Sequence, residues 1–237
     1  MSVPHTGSWP SPGPLETGLF PEQLTARVVT PGTQPRIHGY DVESDLALHY
    51  SPSAVAFLAV TGELPTPEVA AALDTILVFA SPVSVAHAPT HAAVLAQLCG
   101  APSTSILSVA AIGLSEQIKH MLDEHEELLQ WLQAPIEPVP EQFQAATAEE
   151  KETVLRLDAA LHKCGLRVPA LSQPIAPQAA VLAALHACGL TTRRPLEVLL
   201  VWVRLPVVMA EAFAESIANF KNYPTNLPWF VYEESTS

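Results

Sequence analysis

The sequence predicts an all-α protein, and two patterns carry this prediction. Apolar residues recur at helical spacing along most of the chain, as at Leu73, Ile76 and Leu77. Residues that start and stop helices flank these stretches, whereas an extended pattern occurs only at "RVVTPG" near residue 27. With 237 residues, of which 49% are apolar, the chain is long enough to bury a sizeable core.

The first helices are marked by capping residues. Ser51 or Ser53 is expected to start a short helix that ends at Gly62, because a serine hydroxyl can accept a hydrogen bond from a free helix N–H group. Thr66 is expected to cap the next helix, with Pro67 in its first position. These two helices are predicted to pack as neighbours.

The middle of the chain combines apolar and amphipathic helices. An apolar helix follows Pro89. Residues 103–133 then form either one long helix or two abutting helices. This stretch begins with the apolar "SVAAIGL" and ends with the charged "DEHEELLQWLQ", which predicts a buried half and an exposed half. The three prolines of "APIEPVPEQF" indicate a linker.

Three further helices complete the predicted fold. Thr147 starts a helix that ends at Gly165, and "APQAAVLAALHACG" forms the next one. The segment "RRPLEVLLVWVRLPVVMAEAFAESI" is the most apolar helix and is expected at the centre of the core. Because Arg204 and Pro206 interrupt it, no apolar run reaches the roughly 18 residues of a membrane helix, so we expect no membrane association.

Charge and cysteine content bound the partners and the compartment. The chain has 24 acidic and 11 basic residues and a net charge of −13, which argues against nucleic acid and anionic membranes as partners. Cys99, Cys164 and Cys188 are odd in number and lie in apolar sequence, which favours reduced, buried thiols and a cytoplasmic location. Residues 1–20 lack the features of a signal or transit peptide and are predicted to be a disordered Pro/Gly/Ser tail.

The segment "GYDVESDLALHYSPSAVAFLAVTGELPTPE" resembles the opening of the citrate synthase family, which includes citryl-CoA lyases. A Gly-Tyr turn, a helix started by serine and a Gly-Glu-Leu-Pro stop follow one another in both. The resemblance continues through "LDTILVFA", "AAVLAQLCGAPSTSILSVAAIGL", "RVPALSQPIAPQA" and "VWVRLPVVMAEAFAES", and so covers nearly all of residues 36–218.

This resemblance implies an all-α, citrate synthase-like fold, with a large helical domain, a reduced small domain and a homodimer. The large domain is expected to comprise residues 21–140 together with the C-terminal helix and tail at 193–237. Residues 141–192 are expected to form the small domain.

The resemblance also implies candidate site residues, since the family uses an Asp base, His donors and Arg side chains to join acetyl-CoA to an oxo acid. Its helical catalytic His falls on His120, and its loop His falls on Gln173. An earlier substrate-binding His aligns with Ser84, with His87 and His91 close by as substitutes. We therefore take His120 as the catalytic candidate and Gln173, His87 and His91 as substrate-binding candidates.

Other parts of the family's site are changed. Its Asp-Pro-Arg falls on residues 176–178, where Gln178 is a neutral amide that cannot replace a guanidinium. The Asp base is missing, because no acidic residue occurs from Gln173 to Pro195. Arg204 falls where the family has a carboxylate-binding Arg. In so apolar a helix, this side chain is expected either to form an internal ion pair or to face a ligand cleft.

Four histidines of the chain have spacings that could suit metal ligands. His87 and His91 have the i, i+4 spacing of metal ligands, and His120 with His125 would complete a set. Pro89 lies between the first two, and there is no His-Glu-x-x-His pattern, so we interpret them as polar residues at a helix start and predict no metal and no cofactor. Nucleophile-elbow, P-loop and dinucleotide-binding patterns are also absent from the sequence.

Two functions remain open. The first is a divergent citrate synthase-like protein that does not perform ordinary citrate synthesis and binds a carboxylate or a CoA thioester, or serves as a noncatalytic or regulatory subunit for a partner. The second is an enzyme with altered acyl-CoA or carbon–carbon bond chemistry, of the citryl-CoA lyase or synthase type, in which His120 and Arg204 act on a CoA thioester or another carboxylate-bearing substrate.

Overall fold

The computed structural model of the protein describes residues 24–134 and 138–216. Within these ranges the chain is mainly helical, which confirms the predicted all-α class. The tail predicted at 1–20 lies outside the described residues, as does most of the C-terminal segment that follows the last helix.

A small antiparallel sheet precedes the helices. It consists of β1 (Val29–Thr30), β2 (Arg36–Ile37) and β3 (Tyr40–Asp41), in that order. The sequence indicated only the first strand, because two-residue strands are too short to show an alternating pattern. His38 and Gly39 join β2 to β3 with φ values of 47° and 89°, and a two-residue turn with positive φ matches the twist of paired strands.

The helices follow closely on one another. A π-helical turn at Val42–Leu46 and a short turn at Ala47–His49 come first. The longer helices are α1 (Pro52–Thr61), α2 (Pro67–Ala80), α3 (Ala88–Leu98), α4 (Ser103–Glu124), α5 (Glu126–Gln133), α6 (Ala148–Lys163), α7 (Pro177–Ala187) and α8 (Arg193–Ala214). Short 3₁₀ turns lie at Glu141–Phe143 and Pro169–Ser172.

The helix ends lie where the capping residues predicted them. The Ser51 hydroxyl accepts a hydrogen bond from the first turn of α1, and Gly62 ends this helix in the left-handed region with φ 86°. Thr66 caps α2, and Thr147 forms a reciprocal capping box with Glu150 at the start of α6. Residues 103–133 form two abutting helices, α4 and α5, rather than one long helix.

Buried apolar side chains form two clusters that meet along α8. The larger cluster includes Leu73 of α2 and Leu200 in the first half of α8, together with side chains of α1, α5, α6 and α7. The smaller one packs α3 and the first half of α4, including Leu114, against Val208 in the second half of α8. Val201 packs against both clusters. Helix α8 is therefore central to the core, as its apolar sequence predicted.

Helices α3 and α4 approach closely at Gly113. A Cβ atom at this position would lie 3.1 Å from the Cα atom of Pro89, closer than ordinary van der Waals contact. Glycine thus permits the two helices to pack at this distance. Because Pro89 belongs to the first turn of α3, this contact also fixes where α3 begins.

The three cysteines are free and differ in burial. Cys188 is buried, and burial raises the pKa of its thiol to about 12. Cys164 is half-buried, but Cys99 is exposed, so the prediction that all three thiols are buried was wrong. Cys99 lies at the C-terminal end of α3, next to Gly100, where the chain leaves the core.

Among the described residues, no helix is both long enough and apolar enough to cross a membrane.

Candidate functional site

A cavity of about 290 Å³ lies where the two apolar clusters meet at α8. It is bounded by α2, α4, α6, α7 and α8 and by the segment that leads from α2 into α3. Its polar side chains are those of His87, Gln117, Thr153, Gln178 and Arg204. Much of the remaining wall is apolar and includes Phe79, Val83, Met121, Leu157, Leu182 and Leu200.

The cavity opens on one side. Phe79 is 37% exposed, and Pro82, His87 and Gln178 are also exposed. In contrast, Leu157 and Leu182 on the wall are buried. A small molecule can therefore enter past the exposed residues and contact apolar side chains deeper in the fold.

Arg204 provides the fixed positive charge of the cavity. Its Nε donates a hydrogen bond of 2.9 Å to the carbonyl oxygen of Ala80, at the last residue of α2, where the helix dipole favours a cation. Burial lowers the pKa of Arg204 from its usual value, yet a guanidinium stays protonated at neutral pH.

Within the described ranges of the chain, no acidic side chain neutralises the guanidinium of Arg204. No carboxylate among the described residues lies within 4.0 Å of it. Its hydrogen bond to Ala80 uses only Nε, so the N–H groups on both Nη atoms have no partner in the described part of the chain. Of the two alternatives for this residue, an internal ion pair is therefore not what the described residues form.

A second polar group in the cavity also lacks a partner. The Oε1 atom of Gln117 is buried and accepts no hydrogen bond within the described residues. Buried polar side-chain atoms are usually satisfied by a hydrogen bond, so an unpaired one beside a cavity indicates room for water or a ligand. Gln117 and Arg204 come from different helices, α4 and α8, and both lie on the cavity wall.

Two helix N-termini contribute to the same wall. His87 is the N-cap residue of α3, and Pro177 and Gln178 form the first turn of α7. Neither helix has a side-chain cap. The N-terminus of a helix carries partial positive charge, so both helices add to the positive potential that Arg204 creates.

No acidic side chain lines the cavity among the described residues. This agrees with the absence of acidic residues from Gln173 to Pro195 in the sequence. In a chain with a net charge of −13, the cavity is thus a local region of positive potential, which favours an anionic ligand.

The structure brings together two of the sequence-predicted site residues, Arg204 and His87. His120 lies elsewhere on α4. Its side chain is 75% exposed, and its Nε2 atom lies 3.3 Å from a carboxylate oxygen of Glu124. The cavity wall is instead formed by Gln117 and Met121 of this helix.

The other two predicted residues also lie outside the cavity wall. His91 is exposed on α3. The Oε1 atom of Gln173 accepts a hydrogen bond of 2.7 Å from the backbone N–H of Val139, so Gln173 links two loop segments. The roles assigned to His120, His91 and Gln173 in substrate binding and catalysis stay predictions.

Gln117 and Thr153 were not singled out from the sequence, although Gln117 gave a readable signal. It lies on the same side of α4 as the buried Ile106, Ala110 and Leu114. A polar residue on an apolar helix face is unusual, so its position indicated a buried polar function. Thr153 lies on an amphipathic helix and gave no such signal.

Within residues 24–134 and 138–216, no group of three or more His, Cys, Asp or Glu side chains is placed to hold a metal ion.

Comparison with known proteins relates this chain to others by fold. No family model and no curated protein matches its sequence. The structure is similar to that of citryl-CoA lyase from Hydrogenobacter thermophilus, with a TM-score of 0.57 and 14% identity over 90% of this chain and 96% of that one. It is also similar to ATP citrate lyase from Methanothrix soehngenii in complex with citrate and coenzyme A, with a TM-score of 0.59 and 12% identity.

The second comparison covers 99% of this chain but only 46% of the ATP citrate lyase chain. At identities this low, the similarity shows the fold. The predicted citrate synthase-like fold is thereby confirmed. Membership of the citrate synthase family, the domain boundaries, the homodimer and the cytoplasmic location stay predictions.

Proposed function

We propose that this protein binds a small carboxylate in the cavity at α8 and does not perform ordinary citrate synthesis. The observation that carries the proposal is Arg204, a protonated guanidinium on the cavity wall without a carboxylate partner among the described residues. Arg204 is half-buried, and a cation without an ionic partner in such a place favours an anion, so a bound carboxylate would supply the partner.

The absence of a carboxylate base supports the second half of the proposal, and the one histidine on the described wall, His87, lies at its exposed side. Proton removal from a weakly acidic methyl group needs a base within hydrogen-bond reach of the substrate. Among the described residues, the cavity wall offers no Asp or Glu for this role. Its neutral polar groups, Gln117, Thr153 and Gln178, are suited to orienting a ligand rather than to removing such a proton.

The protein would then act as a ligand-binding or regulatory subunit. The similar ATP citrate lyase was solved with citrate and coenzyme A, which makes citrate, other carboxylates and CoA thioesters the first compounds to test. A cavity of about 290 Å³ takes a small carboxylate, whereas the bulk of a CoA thioester would have to lie outside it.

A thermal-shift screen tests the proposal directly. Wild-type protein is heated with CoA, acyl-CoA esters and mono-, di- and tricarboxylates. A ligand at about 100 times its dissociation constant adds about 2.7 kcal/mol to the free energy of unfolding, which gives a measurable rise in Tm. We expect a rise with at least one carboxylate in the wild type and none in Arg204→Met.

Arg194→Met is the matched control, because Arg194 is exposed on the same helix and the substitution removes the same charge. It should keep the ligand-induced rise in Tm. If no carboxylate raises the Tm of the folded wild type, or if Arg204→Met responds as the wild type does, carboxylate binding by Arg204 is wrong.

The alternative function, an enzyme acting on an acyl-CoA or a carbon–carbon bond, assigns His120 a catalytic role beside Arg204. Incubation of citryl-CoA with the protein, followed by chromatography of the products, tests this function. Cleavage that is lost in His120→Ala and kept in His49→Ala would establish it, since both histidines are exposed on helical segments. If citryl-CoA is recovered unchanged, the enzymatic function is wrong and the binding function is retained.

We also propose that two copies of the chain associate through α4 and α8. Both helices expose apolar side chains, with Ile112 67%, Trp202 42% and Phe213 50% exposed. Rows of exposed apolar residues on neighbouring helices are typical of interaction surfaces. Sedimentation equilibrium should show a dimer for the wild type and a folded monomer for Ile112→Asp, and a monomeric wild type would disprove the homodimer.

A further inference from the structure

We infer that the ligand of the α8 cavity is a monocarboxylate with a short apolar chain, rather than a dicarboxylate or tricarboxylate. This inference rests on the proposed carboxylate binding and adds the chemical class of the ligand. It is drawn from the number of charges in the cavity, the character of its wall and its size.

The number of positive charges sets the number of carboxylates. Arg204 is the only Arg or Lys among the described residues that line the cavity. His87 at the N-terminus of α3 and Gln178 at the N-terminus of α7 both lie at the exposed side, where water screens the interactions of these helix ends. A second or third carboxylate group would therefore be buried without a cation, and burial of an unpaired charge is unfavourable.

The wall indicates what the rest of the ligand is. Met121, Leu157 and Leu182 line the cavity and are buried apolar side chains. They come from α4, α6 and α7, so an apolar chain in the cavity would be enclosed by three helices. An alkyl chain that leaves water at this wall gains free energy in proportion to the area it buries.

The polar groups of the cavity suit one carboxylate. The free Nη groups of Arg204 can donate two parallel hydrogen bonds to its oxygen atoms. A flip of the Gln117 side-chain amide turns its unpaired buried acceptor into a donor for the same carboxylate. Both residues would then have the partners that they lack in the unliganded protein.

The cavity volume accommodates such a chain. At roughly 30 Å³ for each water-sized group, a volume of about 290 Å³ has room for about ten non-hydrogen atoms. Straight-chain acids from butyrate to octanoate therefore fit. Citrate brings two additional carboxylates, for which the wall offers no second Arg or Lys among the described residues.

Isothermal titration calorimetry of the wild type with butyrate, pentanoate, hexanoate, succinate, citrate and 1-hexanol tests the inference. We expect hexanoate to bind at least tenfold more tightly than succinate, citrate or 1-hexanol. From butyrate to hexanoate, the affinity should rise about fourfold for each added methylene group, because burial of each one is worth about 0.8 kcal/mol.

A variant of the cavity wall is expected to shift the preference from hexanoate towards succinate. Gln178→Arg adds a cation to the cavity wall, so succinate should gain at least tenfold relative to hexanoate. Ser172→Arg is the matched control, since Ser172 is exposed in the preceding loop and outside the cavity wall. This control should keep the wild-type ratio of succinate to hexanoate affinity.

The outcomes separate the two proposals. Binding of succinate or citrate as tightly as hexanoate, or an affinity that does not change with chain length, would overturn the monocarboxylate and leave carboxylate binding in place. Equal binding of 1-hexanol and hexanoate would overturn the role of Arg204. The absence of binding by every acid, in protein shown by circular dichroism to be folded, would overturn both proposals.

Discussion

Two of the arginines on helix α8, Arg193 and Arg204, lie in opposite surroundings. At its first residue, the Nη2 atom of Arg193 lies 2.5 Å from a carboxylate oxygen of Asp123, and its Nε atom lies 3.0 Å from one of Glu197. A third carboxylate, that of Glu126, lies 3.9 Å from Nη1. In the middle of the helix, Arg204 has only the carbonyl oxygen of Ala80 as a partner within the described residues.

The difference distinguishes a charge with a structural role from the charge to which we assign ligand binding. Arg193 also donates a 2.8 Å hydrogen bond to the carbonyl oxygen of Lys119, and so ties the start of α8 to the end of α4. Its carboxylate neighbours raise its pKa, whereas burial lowers the pKa of Arg204. Among the described residues, carboxylates satisfy Arg193, whereas the ion-pairing requirement of Arg204 would be met by the proposed anion.

The largest expected effect concerns ligand affinity. In Arg204→Met the dissociation constant for hexanoate should rise about 100-fold, which corresponds to about 2.7 kcal/mol, because hydrogen bonds between charged groups are lost. In Arg193→Met it should change less than threefold. Calorimetric titration of both variants measures this, and an equal loss in both would mean that affinity depends on the placement of α8 as a whole.

The next effect concerns stability. Here Arg193→Met is expected to be more damaging than Arg204→Met. Arg193→Met should lower the free energy of unfolding by about 1 kcal/mol, since its ion pairs are partly exposed. Arg204→Met should lower it less, because loss of one hydrogen bond is offset by removal of a half-buried charge that has no ion-pair partner among the described residues. Urea unfolding without ligand measures both values.

Salt separates these two effects further. In about 1 M NaCl, the destabilisation by Arg193→Met should shrink, because exposed ion pairs are screened. The effect of Arg204→Met should stay the same. A salt-independent loss in Arg193→Met would contradict the view that its ion pairs stabilise the start of α8.

A half-buried histidine gives a smaller, pH-dependent effect. Burial lowers the pKa of His186, and its Nε2 atom is buried without a hydrogen-bond partner among the described residues. Unlike an arginine, a histidine can meet burial by losing its proton. Below about pH 6.5 the unfolded chain binds this proton more readily than the folded one, so the free energy of unfolding falls as the pH is lowered through this range.

Urea unfolding at several pH values between about 7 and 5 checks this expectation. In His186→Gln, the free energy of unfolding should fall less steeply between these pH values than in the wild type. The exposed control His49→Gln should show the same fall as the wild type. If both variants decline as the wild type does, the loss of stability in acid arises at other groups.

The smallest effect is expected at His120. Its exposed side chain lies outside the cavity wall, so His120→Ala should change the affinity for hexanoate less than twofold. Gln117→Leu, three residues earlier on α4, should weaken binding by about tenfold because one hydrogen bond to the carboxylate is lost. A large loss in His120→Ala would show that the ligand contacts a different side of α4.

The helix boundaries were predictable from the sequence, because caps act over a few residues. Ser51, Thr66 and Thr147 each lie within one turn of the N–H group that they bind. The close contact at Gly113 was not predictable, since its partner Pro89 belongs to another helix and the spacing between helices depends on packing.

The candidate site was predictable only in part. Arg204 could be found because a charged residue in an apolar helix is unusual, and the resemblance to a known family directed attention to the same residue. The resemblance also directed attention to His120, whereas the cavity wall is formed by Gln117 and Met121. Which side of α4 faces the cavity depends on how α4, α7 and α8 pack, and local sequence does not specify this.

The unpaired guanidinium has a consequence for attempts to make the protein more heat-resistant. A laboratory selection at rising temperature favours variants that lose a half-buried charge without an ion-pair partner or fill an internal space with apolar side chains. Both kinds of variant would alter the region around Arg204. Such a selection is therefore expected to yield variants with a higher Tm and a lower affinity for the proposed ligand, unless the ligand is present throughout the selection.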